Sequence, residues 1–207
     1  TELIGEIKSM QINIEENWDV DSNEDKWCFL INKDLWGWVT QDLGIHAISL
    51  VFAMKELIGE IPNVENVECK HSIGESYIQY VIDEYDISKD SIAESFTEIN
   101  FVTDKNIAVH IRLKKFSEIK NRNVIIQWLK GSLFLDMTTD NLFYYSHDNT
   151  KRCLMWMSDD SSLKYYPLLR HGLDHINHKK SLLENNNDLL MNSQEFILHL
   201  INKKNDK

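Results

Sequence analysis

Residues 96–116 read FTEINFVTDKNIAVHIRLKKF, and this stretch constrains the fold more than any other. Ile99 and Phe101 alternate with polar residues in its first arm, and Ile107, Val109, Ile111 and Leu113 alternate in its second. A period of two puts each apolar set on one face of a strand. Asp104-Lys105-Asn106 supplies the turn between the arms. The segment therefore predicts an antiparallel hairpin whose apolar face another layer must cover.

The rest of the chain offers both partners for that hairpin. Met10, Ile12 and Ile14 alternate as in a half-buried strand, and Trp27 to Ile31 is a short apolar run suited to a buried one. Leu133–Met137, Leu142–His147 and Cys153–Ser158 are short apolar runs separated by TTDN and HDNT, which predicts a meander. From Ile45 to Ile61 the period changes to three and four, predicting a central helix stopped by Gly59 and Pro62. Tyr77 to Tyr85 fits strand by its aromatic and β-branched content and helix by its acids. Pro167 suits the first turn of a helix, and a last helix is predicted from about Ser193 to Asn202. The expectation is an α+β fold: a mostly antiparallel sheet (hairpin and meander) packed against a central helix and C-terminal helices. With two prolines, seven glycines and no repeat, residues 1–207 read as a single globular domain with a C-terminal helical extension from about residue 162.

Charge comes next. The chain of 207 residues carries 33 acids and 22 bases, a net charge of −11. A field of that sign repels phosphate, so direct nucleic-acid and anionic-membrane binding are disfavoured. The charge is segregated. Residues 1–100 hold 21 acids and six bases, whereas residues 101–207 hold 12 acids and 16 bases. Three scattered cysteines, Cys28, Cys69 and Cys153, make a poor disulfide framework and suit a reducing cytoplasm. Ile45–Met54 is too short to span a bilayer.

Several motifs invite chemistry. His171, His175 and His178 lie four and three apart and would share a helix face, as metal-binding imidazoles can. The same spacing serves an ordinary polar face, and HExxH is absent, so no metal is assigned. Asp19, Asp21, Asn23 and Asp25 resemble the opening of a calcium loop. Glu24 stands where that loop needs glycine, and Leu30 where it needs glutamate. Glu118-Ile-Lys120, following Asp104 across a strand, has the outline of a magnesium-dependent nuclease site. No G-x-S-x-G, G-x-x-x-x-G-K or G-x-G-x-x-G occurs, so no catalytic residue and no cofactor are assigned.

Tryptophan is the other concentration. Trp18, Trp27, Trp36 and Trp38 fall within 21 residues that also hold five acids. Large rings rimmed by charge suit a protein interface as well as a core. The residues assigned to partner binding are Asp19, Asp21, Glu24, Asp25, Asp34, Trp36, Trp38 and Asp42. The leading expectation is an acidic cytoplasmic protein-binding module, an inhibitor or immunity-type protein neutralising a basic partner such as a toxin. The alternatives are a metal-dependent or acid–base enzyme using the C-terminal histidines, and a structural subunit of an assembly.

Overall fold

The computed structural model describes residues 6–17, 31–35, 38–148, 150–155 and 182–205. Eight strands form one sheet: β1 (Ile7–Glu15), β2 (Glu68–Ser72), β3 (Phe96–Val102), β4 (Ala108–Lys114), β5 (Asn121–Trp128), β6 (Gly131–Asp136), β7 (Asn141–Ser146) and β8 (Lys151–Met155). The helices are α1 (Val39–Asp42), α2 (Gly44–Ala53), α3 (Lys55–Ile58), α4 (Glu75–Tyr85) and α5 (Leu182–Asn205). The spatial order of strands is β2-β3-β4-β1-β5-β6-β7-β8.

The hairpin of residues 96–114 is β3 and β4, paired from Phe96↔Lys114 to Val102↔Ala108. Asn106, with φ of 60°, closes its turn, and its N–H donates to Thr103 O at 2.9 Å. Asn is among the few non-glycine residues that reach the left-handed region readily.

The expected hairpin-and-meander arrangement is corrected at the centre. β1 lies between β4 and β5, parallel to the first and antiparallel to the second. Ser9 through Glu15 pair in parallel with Ala108 through Lys114 across about a hundred intervening residues. A parallel pair needs a crossover, and here the crossover carries α1 to α4. The hairpin and the meander are thus fused into one continuous mixed sheet. β5, which the sequence reading did not identify, supplies the join.

One face of the sheet is apolar and carries the helices. Met10, Ile12, Ile99, Ile111 and Leu113 are fully buried there, beside Val109 and Val124. Ala47, Ile48 and Val51 of α2 and Phe196, Ile197 and Leu200 of α5 complete this core. The expected helix over 45–61 is α2 and α3, ended at Gly59, whose φ is 97°. The last helix is longer than expected, 24 residues from Leu182. Lys203 Nζ anchors its end by donating to Val64, Val67 and Glu65 carbonyls, each at 3.0 Å. Residues 75–85, ambiguous in sequence, are helical. The opposite sheet face is polar: Asn13 Nδ2 donates to Asn123 Oδ1 at 2.8 Å, and Arg112 lies 3.6 Å from Glu98. Among the described residues, no helix is long and apolar enough to cross a membrane.

Candidate functional site

The chemistry gathers under α1. Trp38 precedes that helix in extended conformation, and its Nε1 donates to Lys33 O at 3.0 Å. Thr40 is completely buried. Its hydroxyl donates to Glu94 Oε1 at 3.1 Å and meets Thr97 Oγ1 at 2.9 Å and His71 Nδ1 at 3.3 Å. Glu94 is itself buried just before β3. A carboxylate out of water is tolerated only when hydrogen-bonded or paired, and three separate parts of the chain supply this network.

Lys115 is the second component. It is fully buried, and its Nζ lies 3.2 Å from Asp42 Oδ2. Burial pushes the lysine pKa down, while the negative charges of Asp42 and Glu94 partly oppose that shift. The backbone that delivers it is strained. Phe116 follows with φ of 56°, a left-handed conformation that a bulky residue rarely adopts. Three contacts hold the corner: Lys115 N to Ser95 O at 2.8 Å, Ser117 N to Glu16 O at 3.0 Å, and Phe116 stacked on Tyr77 at 4.7 Å. Such outliers cost about 1–3 kcal/mol and persist only where the surroundings over-determine them.

Asp42 closes α1, and His46 follows it by four residues on α2, one helical turn on, exposed to solvent. Gly44 stands between them. A Cβ there would lie 2.9 Å from Ile197 Cδ1, so the glycine lets α2 lie close against α5. Two clefts flank the network. One of about 520 Å³ is lined by Trp38, His71 and Glu94, with Lys33 and Lys89 also on its wall. The other, of about 570 Å³, is lined by Ser95, Lys115, Phe116, Tyr77 and Glu118.

Three of the eight residues assigned to partner binding lie within the described residues. Asp34 is exposed in a short 3-10 turn, where its N–H donates to Asn32 Oδ1 at 2.9 Å. Trp38 is half-buried at a cleft wall, and Asp42 pairs with Lys115. Asp19, Asp21, Glu24, Asp25 and Trp36 lie outside the described residues, as do His171, His175 and His178. Among the described residues, no three His, Cys, Asp or Glu side chains gather to hold a metal ion. The nuclease outline fails on geometry. Asp104 sits in the turn before β4 and Glu118 beyond the other end of that strand. Lys115, Glu94, His71, Thr40 and His46 were missed. One signal was present: after Val109, Ile111 and Leu113, the next inward position of the alternation is Lys115. Another was the acid–histidine spacing of four in Asp42-Leu-Gly-Ile-His46.

No family model matches this sequence, and no curated protein matches it. Solved structures do resemble the fold. A levoglucosan dehydrogenase in complex with NADH and levoglucosan superposes with a TM-score of 0.66 at 14% identity, covering 97% of this chain and 58% of that one. The UDP-N-acetylglucosamine 3-dehydrogenase of Acidithiobacillus ferrooxidans gives 0.58 at 11% identity, over 96% of this chain and 52% of that one. A 3-ketoreductase from Actinomadura kijaniata, bound to NADP and TDP-benzene, gives 0.54 at 10% identity, over 94% and 52%.

The fold is one found in dehydrogenases and ketoreductases. The chain spans about half the length of these structures. Two expectations are thereby corrected. The mostly antiparallel α+β arrangement gives way to the mixed, crossover-built sheet of these α/β oxidoreductases. The inhibitor or immunity-type reading, with toxin neutralisation, gives way as well. It rested on composition, and the solved structures that share this fold are dehydrogenases and a ketoreductase.

The dinucleotide named in two of those structures finds no cradle in this sheet. A doubly wound nucleotide-binding unit uses a mostly parallel sheet and a glycine-rich turn into a helix. Among the described residues one strand pair of seven is parallel, and no G-x-G-x-x-G occurs in the sequence. The described turn from β2 into α4 carries one glycine, Gly74, followed by the acid Glu75, which repels phosphate from that helix start.

Proposed function

We propose that this chain is the substrate-side, acid–base portion of an oxidoreductase acting on a hydroxylated or keto small molecule. The supporting observation is the pairing of buried Lys115 with Asp42, four residues before the exposed His46, in a fold shared with dehydrogenases. Oxidising a carbinol requires a group that accepts the hydroxyl proton, and reducing a ketone requires one that returns it. Histidine and carboxylate are the usual agents. On this reading exposed His46 takes or gives that proton at the substrate oxygen. Asp42, four residues before it, carries a negative charge that buried Lys115 pairs with at 3.2 Å. No hydride step is assigned to this sheet, because its residues do not fit the dinucleotide. The scattered cysteines accord with action in the cytoplasm.

The test is backbone amide NMR of the chain titrated with free sugars, polyols and sugar nucleotides. The expected result is shift changes centred on residues 38–46, weakened at least several-fold in Asp42→Asn and His46→Gln. Shifts confined to another surface, or binding unchanged in both variants, would overturn the assignment. In an enzyme assembled with a dinucleotide-binding unit, either variant is expected to lower kcat by about 10²–10⁴-fold.

A further inference from the structure

The edge strand β2 carries a second constellation that the proposed proton chemistry does not use. Cys69 and His71 stand two residues apart, opposite Ile99 and Thr97 of β3, and so share the helix-bearing face. Cys69 Sγ lies 3.3 Å from His71 Nε2. On the other side of the ring, Nδ1 lies 2.9 Å from Thr97 Oγ1 and 3.8 Å from Glu94 Oε1.

The hydroxyls fix which nitrogen bears the proton. Thr40 spends its single hydroxyl hydrogen on Glu94. In the 2.9 Å contact between the two threonines, Thr40 is then the acceptor, so Thr97 donates. Thr97 having given its hydrogen away, its oxygen must accept from His71 Nδ1–H. The neutral imidazole therefore turns the lone pair of Nε2 toward the thiol. The nearest charge, the Glu94 carboxylate at 3.8 Å, favours moving the thiol proton there, and the cations around the cleft oppose it. Glu94 is buried beside it and answers an imidazolium. Lys115 shares that carboxylate's field, and Lys33, Lys89 and Asp90 line the cleft that His71 enters. Glu68 and Lys70, on the opposite face of β2, pair with one another at 3.1 Å. Cys69 itself is half-buried, on a strand at the sheet's edge, and outside any disulfide.

We infer that Cys69 is a reactive thiol site for small peroxides, with His71 as its base and Thr97 and Glu94 as the groups that orient the base. The thiol proton passes to His71 Nε2, leaving thiolate and imidazolium. The thiolate attacks one peroxide oxygen, the S–O bond forms and the O–O bond breaks. Sulfur is oxidised by two electrons to the sulfenic acid and the peroxide is reduced. The departing oxygen takes the proton back from His71 and leaves as water or alcohol. Thiolate character, not thiol, governs both this reaction and alkylation.

The experiment measures labelling of each cysteine in the folded chain by peptide mass spectrometry, with iodoacetamide across pH 5–9.5 and with hydrogen peroxide at pH 6.5. Exposed Cys153 is the internal reference. Comparing pH midpoints removes the difference in access. Cys69 is expected to alkylate with a midpoint at least one pH unit below that of Cys153. At pH 6.5 it is expected to form sulfenic acid about tenfold faster, since an ordinary thiol near 8.5 is about 1% ionised there. His71→Gln is expected to bring the Cys69 midpoint up to that of Cys153, and Thr97→Val to raise it part of the way. A Cys69 midpoint equal to that of Cys153 overturns the inference, as does a lowered midpoint unmoved by either variant. Failure of Cys69 to alkylate at any pH in the folded chain also overturns it. Where circular dichroism shows His71→Gln misfolded, the wild-type profile and Thr97→Val decide.

Discussion

In β3 and β4 every second residue is buried, whereas in β6 and β7 every residue is half-buried on both faces. The strands at the β3–β4–β1 centre have α1, α2 and α5 over one face, so alternation in sequence becomes alternation in burial. Among the described residues of the three outer strands, Leu135 packs against the edge of the main core, as does Met137 just after β6. Their stabilisation comes instead from same-face pairs, such as Phe134 with Phe143 at 6.3 Å and Lys151 over the Phe143 ring at 3.8 Å. The contrast also places the chemistry. An ionisable group shifts far from its ordinary behaviour only where water is excluded, and the Lys115 network lies at the covered end.

Paired truncations test the contrast most strongly. Ile12→Ala, at the buried centre, is expected to cost about 2–5 kcal/mol in urea unfolding, and Phe134→Ala less than half as much despite its larger side chain. Equal losses would show that the outer strands are packed like the inner ones. Asp42→Asn leaves a buried ammonium without its partner. Breaking buried pairs costs about 3–5 kcal/mol, and the lower end is expected because Asp42 is 34% exposed. Gly59→Ala places a side chain at φ of 97° and 2.2 Å from Asp104 Oδ1, at a cost of about 1–3 kcal/mol by thermal melting.

Two pH experiments sharpen the comparison further. Burial holds the Lys115 pKa in the folded chain below 10.5, so between those values the unfolded chain binds the extra proton. Stability from this group therefore rises with pH across that window and is lost as pH falls through it. Lys115→Met is expected to flatten that slope in denaturation curves taken from pH 7 to 10. The smallest effect belongs to the outer end. Asp148, fully exposed in the turn between β7 and β8, has its pKa lowered to about 2 by hydrogen bonds with Ser146 and Thr150. Its contribution is present above 3.8 and lost as pH falls through about 2, and Asp148→Asn is expected to remove it. NMR titration of the Asp148 carboxyl carbon checks the value directly.

Local structure was legible where period or turn chemistry is clear, which left β5 and α4 unread. The β3–β4 hairpin, the apolar face of β1, the helix stop at Gly59 and the buried face of α5 all follow from period and turn chemistry. Asp42 and Trp38 were singled out as well, for a surface role, but Asp42 is turned to Lys115 and Trp38 to a cleft wall. The Lys115 position could have been read as an oddity of the inward alternation. Its meaning could not, because its partner is 73 positions earlier in the chain.

The sequence by itself determined the β3–β4 hairpin, the apolar faces of β1 and α5 and the helix stop at Gly59, because those depend on backbone period and on side chains a few positions apart. Tertiary structure alone decided that β1 inserts between β4 and β5, which joins two antiparallel units into one mixed sheet. It also decided that Thr40, His71, Glu94 and Thr97 converge near the pairing of buried Lys115 with Asp42. The reason is physical: parallel pairing and buried charge networks are fixed by desolvation and hydrogen bonding between distant segments, and neither leaves a periodic trace in the chain.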